Sequence, residues 1–146
     1  MGDRANVAIL DRKLSGRPED AELEAVVLYT HWYGTELPDY VHAGLSRRER
    51  WEDAPYLARI IFCQMLKGEE GSLESTTGYG ISTGLCDNEY PVLVLDCTTQ
   101  RIASRKEEEY RKGPVREPEG LTFAEYCKLR PDGVQRFRME GDRVKP

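Results

Sequence analysis

An imidazole, two indoles and a run of carboxylate and amide groups are the side chains in this sequence best suited to chemistry. His31 stands in Tyr29-Thr30-His31-Trp32-Tyr33-Gly34, and an imidazole near neutral pH can hold or pass a proton. Cys86-Asp87-Asn88-Glu89-Tyr90-Pro91 offers carboxylates and an amide that could act as an acid–base pair, hold a cation, or grip a ribose or amide group. Each set also has a plainer reading. A single histidine at a strand end is usually a hydrogen-bonded residue, and Asp-Asn sequences stabilise turns through their own side-chain bonds.

Gly78-Tyr79-Gly80 followed by Ser82 and Thr83 has no lysine before its hydroxyl pair and leads into a strand, which excludes a phosphate-binding P-loop. The glycines suit a bulge or a close approach of backbone or ligand. Cys86 could serve as a nucleophile only with His31 within hydrogen-bond reach. Trp32, Trp51, Tyr33 and Tyr56 fall near element ends, where they would line a hollow with Arg59 or Arg50 at its rim, a combination fit for stacking on a planar ligand. Packing alone would also account for Trp32 as a core lid and Trp51 as a staple before a helix cap.

The elements that position these groups follow from periodicity. Residues 7–10 form a short apolar strand, and residues 14–22 read as the loop after it. Residues 25–32 alternate, with Val26, Leu28, Thr30 and Trp32 on one face and Val27, Tyr29, His31 and Tyr33 on the other. Thr35 is placed to cap a helix carrying Leu37, Tyr40, Val41, Gly44 and Leu45 on one side. Asp53 caps a second, over residues 56–66, apolar around most of its circumference; it should be buried, Cys63 should be core, and Arg59 should need a partner.

Residues 69–75 form a polar connection, and residues 79–83 a half-buried strand. Residues 92–95, apolar on both faces, form the central strand, while residues 101–103 add an edge strand. Residues 105–120 are an exposed charged linker, helical at most over 106–111. Thr122 and Glu125 form a capping box, Arg130-Pro131 stops the helix they open, and a tail follows that Val134, Phe137 and Met139 could pin to the domain. The expected architecture is a single α+β domain with a mostly antiparallel sheet packed against two or three helices. It divides into a core over 1–104, a linker over 105–120 and a C-terminal helix and tail over 121–146.

Composition narrows the function. The 146 residues suffice for one core, and 26 acidic against 21 basic residues give a formal charge of −5, which disfavours nucleic acid as a partner. Basic residues cluster at Arg47, Arg48 and Arg50 and again along Arg130 to Arg143, leaving room for a local anionic contact, although a solvated helix end explains the first cluster equally well. Four scattered cysteines and two histidines support neither a zinc site nor a disulfide framework, and the absence of a basic-then-apolar start points to the cytosol.

Tyr29-Thr30-His31-Trp32 with Gly34, Glu36-Leu37-Pro38, Arg50-Trp51-Glu52-Asp53, residues 56–62, Gly78-Tyr79-Gly80-Ile81-Ser82-Thr83 and Asp87-Asn88-Glu89-Tyr90-Pro91 resemble a family of small uncharacterised bacterial and bacteriophage proteins, many of them actinobacterial. The likeness covers roughly residues 4–103 and carries no activity with it. It implies an accessory protein of a bacterium or phage, acting in host takeover or in defence and counter-defence.

The residues point first to a non-enzymatic binding protein, without cofactor or metal, for a small planar or nucleotide-like ligand or a protein partner. Its site would join three segments and include Tyr29, His31, Trp32, Trp51, Arg59, Tyr79, Asp87 and Asn88. The alternatives are a hydrolase or transferase using His31 with Asp87 or Glu89, and a virion-associated or structural interaction protein; a homo-oligomer is compatible with each.

Overall fold

The computed structural model describes residues 2–11, 25–67, 78–112 and 120–144. The loop expected at 14–22 and the connection at 69–75 lie outside the described residues. Strands β1 (Ala5–Leu10), β2 (Val26–Thr30), β3 (Tyr79–Ser82), β4 (Val92–Asp96), β5 (Arg101–Arg105) and β6 (Leu121–Thr122) form one sheet in the order β3-β2-β1-β4-β5-β6. Among the described strands only β1 and β4 pair in parallel, Val7 opposite Leu93 and Ile9 opposite Leu95; the other neighbours are antiparallel. With its helices the sheet makes a single α+β domain of mostly antiparallel pairing.

Alternation sorts the strand residues between two faces. Val7, Ile9, Leu28, Leu93, Leu95 and Ile102 face α1 (Leu37–Ser46), α2 (Ala54–Lys67), α4 (Phe123–Cys127) and α5 (Pro131–Glu140), forming the main core. Ala8, Leu10, Val27, Val92 and Val94 point the other way, into a smaller cluster with Leu85 and Tyr110 of α3 (Glu107–Lys112). That second cluster explains why residues 92–95 are apolar on both faces. Helices α1 and α2 cross closely because Gly44 has no side chain: a Cβ there would stand 2.6 Å from Ile61 Cγ1.

Several local expectations change. Thr35 caps nothing; its N–H and hydroxyl both donate to Asp3, and α1 begins with Pro38 in its first turn. Asp53 does cap α2 through Tyr56 N at 3.3 Å. That helix buries Leu57, Ile61 and Met65 but exposes Tyr56, Arg59 and Cys63, so Arg59 needs no partner in the core and Cys63 is not part of it. β5 is interior, since β6 pairs beyond it. The charged segment is not wholly exposed, for Tyr110 is buried; its residues 113–119 lie outside the described residues.

The capping box of Thr122 and Glu125 forms as expected. Arg130-Pro131 acts as a start as well as a stop, because a proline whose missing N–H is harmless in a first turn opens α5. What read as a tail places Val134 and Phe137 in the main core, with Met139 exposed.

Candidate functional site

Parallel pairing of β1 with β4 brings their amino ends together, and antiparallel β2 delivers its carboxyl end to the same place. His31, the residues before β1 and the 84–90 loop before β4 therefore meet at one end of the sheet. Backbone bonds fix the junction: Asp3 N donates to His31 O at 2.7 Å, His31 N to Gly78 O at 2.7 Å, and Glu89 N to Arg4 O at 2.9 Å.

Asn6 fastens the loop. It is 1% exposed; its Nδ2 faces Cys86 O, Asp87 O and Asn88 Oδ1 at 3.2–3.3 Å, and its Oδ1 accepts from Cys86 N at 3.0 Å. Asn88 in turn donates to Tyr90 O, and the Glu89 carboxylate accepts from Arg4 N at 2.8 Å.

Around the imidazole, Tyr29 Oη lies 2.9 Å from His31 Nδ1 and Arg4 Nε donates to the same nitrogen at 3.4 Å. An arginine nitrogen only donates, so Nδ1 is the acceptor and the network assigns the proton to Nε2. Burial raises the Tyr29 pKa, Cys86 and Asp87 act in the same direction and Arg4 opposes, so the phenol stays protonated as a donor.

The Trp32 ring meets the imidazole edge-on at 5.1 Å and lies against Gly78, where φ is +90° and a Cβ would stand 2.4 Å from the indole. At 48% exposure Trp32 is no core lid; it stands beside His31, whose other side meets Arg4, while the exposed Asp87 acts on the neighbouring Tyr29, and these groups make up one polar-aromatic shelf.

Beneath the shelf, Asp3 Oδ2 accepts from Thr35 N and Oγ1, both at 2.8 Å, and Oδ1 accepts from Tyr90 Oη. The Arg138 guanidinium lies 3.8 Å over the Tyr90 ring and donates to Gly34 O, while its Nε has no partner among the described residues and the residue is only 3% exposed. Burial of Asp3 favours its neutral form, but hydrogen bonds from Tyr90 and Thr35 and the charge of Arg138 outweigh this, leaving its pKa below the ordinary 3.8.

With the folded pKa depressed, the unfolded chain binds this proton first. Asp3 thus contributes stability above its unfolded value, and that contribution fades as pH falls through the folded one. Urea unfolding at a series of pH values should show Asp3→Asn less stable than the parent at pH 7 by about 1–2 kcal/mol, with the gap closing toward acid. A gap unchanged by pH would mean that the Asp3 charge has no role.

The sequence-derived site divides. Tyr29, His31, Trp32, Asp87 and Asn88 gather, and Glu89 joins them as a tether. Tyr79 lies on the other sheet face opposite Thr30, its ring stacked on Tyr33 at 5.5 Å. Trp51 packs edge-on against Phe123 and donates to Leu45 O at 3.0 Å, whereas Arg59 lies over Tyr56. Their neighbours Glu52 and Asp53 act electrostatically on buried Cys97, just beyond the carboxyl end of β4, so this segment belongs to the opposite end of the sheet.

Asp3, Arg4, Asn6, Tyr90 and Arg138 went unrecognised in the sequence. Asn6 directly precedes the apolar run at 7–10 in the sequence, and only its burial within β1 shows that its amide must find partners.

No family model, curated protein or solved structure matches the chain. Among the described residues no His, Cys, Asp and Glu group is arranged to hold a metal ion, and no helix is long and apolar enough to cross a membrane. The functional argument therefore rests on the shelf itself.

Proposed function

We propose that the protein is a non-enzymatic binding protein that takes a small planar, nucleotide-like ligand against Trp32, with Arg4, His31 and Asp87 as its polar contacts. The observation that carries this reading is the half-exposed indole, backed by Gly78 and propped by an imidazole that Arg4 also meets. A rigid ring with one polar flank suits a planar ligand bearing donors and acceptors.

Acid–base catalysis by His31 with Glu89 fits less well, because the Glu89 carboxylate is bound to Arg4 N and His31 Nδ1 to Tyr29 and Arg4. Four free cysteines suit a reducing cytosol, and the resemblance described above suggests an accessory role in a bacterium or an infected cell.

Native mass spectrometry and thermal melting across nucleosides, nucleotides and other planar metabolites should reveal a ligand. Trp32→Ala, which removes an exposed ring, should weaken its binding by about 1–3 kcal/mol, the usual worth of a stacked base. Binding indifferent to Trp32→Ala would sink the proposal, and turnover of the bound compound would replace it with an enzyme.

A further inference from the structure

At the far end of the sheet, the α1–α2 connection carries a second, differently built surface. Arg50 Cζ lies 4.7 Å and Arg59 Cζ 5.8 Å from the centroid of the Tyr56 ring, while Arg48 lies 5.4 Å from that of Trp51. Among the described residues none of these three arginines forms an ion pair. Two of the three adjacent acids are otherwise engaged. Asp53 caps α2 and Glu49 lies 3.7 Å from Arg47, while Glu52 is exposed and forms no ion pair among the described residues.

Arg48 and Arg50 also adopt left-handed backbone, at φ +57° and +58°, which is unfavourable for a residue with a Cβ. Two guanidiniums sharing one ring without a carboxylate between them repel each other, and an anion would relieve that repulsion. Beside them Arg47, Glu49, Arg59, Ile60, Cys63 and Gln64 line a hollow of about 140 Å³.

We propose that this surface holds the phosphoryl group of a small phosphorylated ligand, gripped by Arg59, Arg47 and the Gln64 amide in the hollow, with Arg50 beside Arg59 over Tyr56. Planar arginine forks match phosphoryl oxygens in pairs. The hollow has the scale of one such group rather than of an extended strand, and the chain's charge of −5 opposes a long polyanion. Glu49 is the one carboxylate in the hollow and acts against the anion.

Calorimetry at low salt with pyrophosphate as the probe tests this, using the full chain and exposed-site variants whose melting temperatures report folding. Binding should weaken roughly tenfold in Arg59→Gln and further in Arg50→Gln/Arg59→Gln, strengthen in Glu49→Gln, and fall with added salt. A short single-stranded oligonucleotide bound no better than pyrophosphate would confirm a small ligand; one bound far more tightly would overturn that choice. The proposal fails outright if pyrophosphate does not bind, if binding survives in the folded double variant, or if polyglutamate binds equally well.

Discussion

Phe137→Ala is expected to destabilise the protein by about 3–5 kcal/mol, a large part of the 5–15 kcal/mol that holds a typical domain together. Phe137 is fully buried and meets Tyr126 edge-on at 5.4 Å. Tyr126, buried in turn, donates to Pro38 O at 3.3 Å, and Phe123 packs against Trp51. Truncating Phe137 therefore opens a cavity where α1, α4 and α5 meet, and the packed rings around it can close it only in part.

The same helix presents Arg138 to Gly34 O and Tyr90, so the loss should reach the shelf through the 84–90 loop. Urea unfolding monitored by circular dichroism measures the effect. A change below about 1 kcal/mol would show α5 to be peripheral, the surface tail that its sequence first suggests.

Asn6→Asp should have a comparable effect, about 3 kcal/mol or more at neutral pH. The amide nitrogen that faces three oxygen acceptors becomes a further oxygen, buried and charged, among the same acceptors. Unlike the Phe137 change, this one acts locally. Cys86 N–H loses a well-placed acceptor if the carboxylate turns away, so hydrogen exchange at residues 86–88 should accelerate more than in β4. Any ligand response that depends on Asp87 should vanish with it. Uniform acceleration across the sheet would instead mean that Asn6 supports the whole fold and not the loop.

Much of the scaffold was legible because two periods suffice to write it. Alternation in residues 25–32 assigned Leu28 and Val27 to opposite faces, and the double-faced apolar run at 92–95 marked the strand that lies beside β1. Helix α5 escaped because Arg130-Pro131 carries two meanings, and only the burial of Val134 and Phe137 decides between them.

The site was legible in part for a similar reason. His31 and Asp87 were chosen by residue type, yet what joins them is the parallel register of β1 with β4, a pairing between residues more than 80 apart that no local pattern encodes. Trp51 and Arg59 were drawn to them by chemistry alone. The ten residues of α1, a span of about 15 Å, carry the chain the length of the sheet before Trp51 is reached. Arg138 was invisible because its partners, a carbonyl and a tyrosine ring, leave no signature at its own position.

Backbone amide and indole NMR of the uniformly labelled protein, titrated with the compound that raises its melting temperature most, addresses the ligand shelf directly. The Trp32 indole N–H and the amides of Arg4, His31 and residues 86–89 should move together and saturate with one affinity. If the shifts fall elsewhere, or the Trp32 signal stays fixed while the protein is demonstrably saturated, the ligand does not sit where β1, β2 and the 84–90 loop converge.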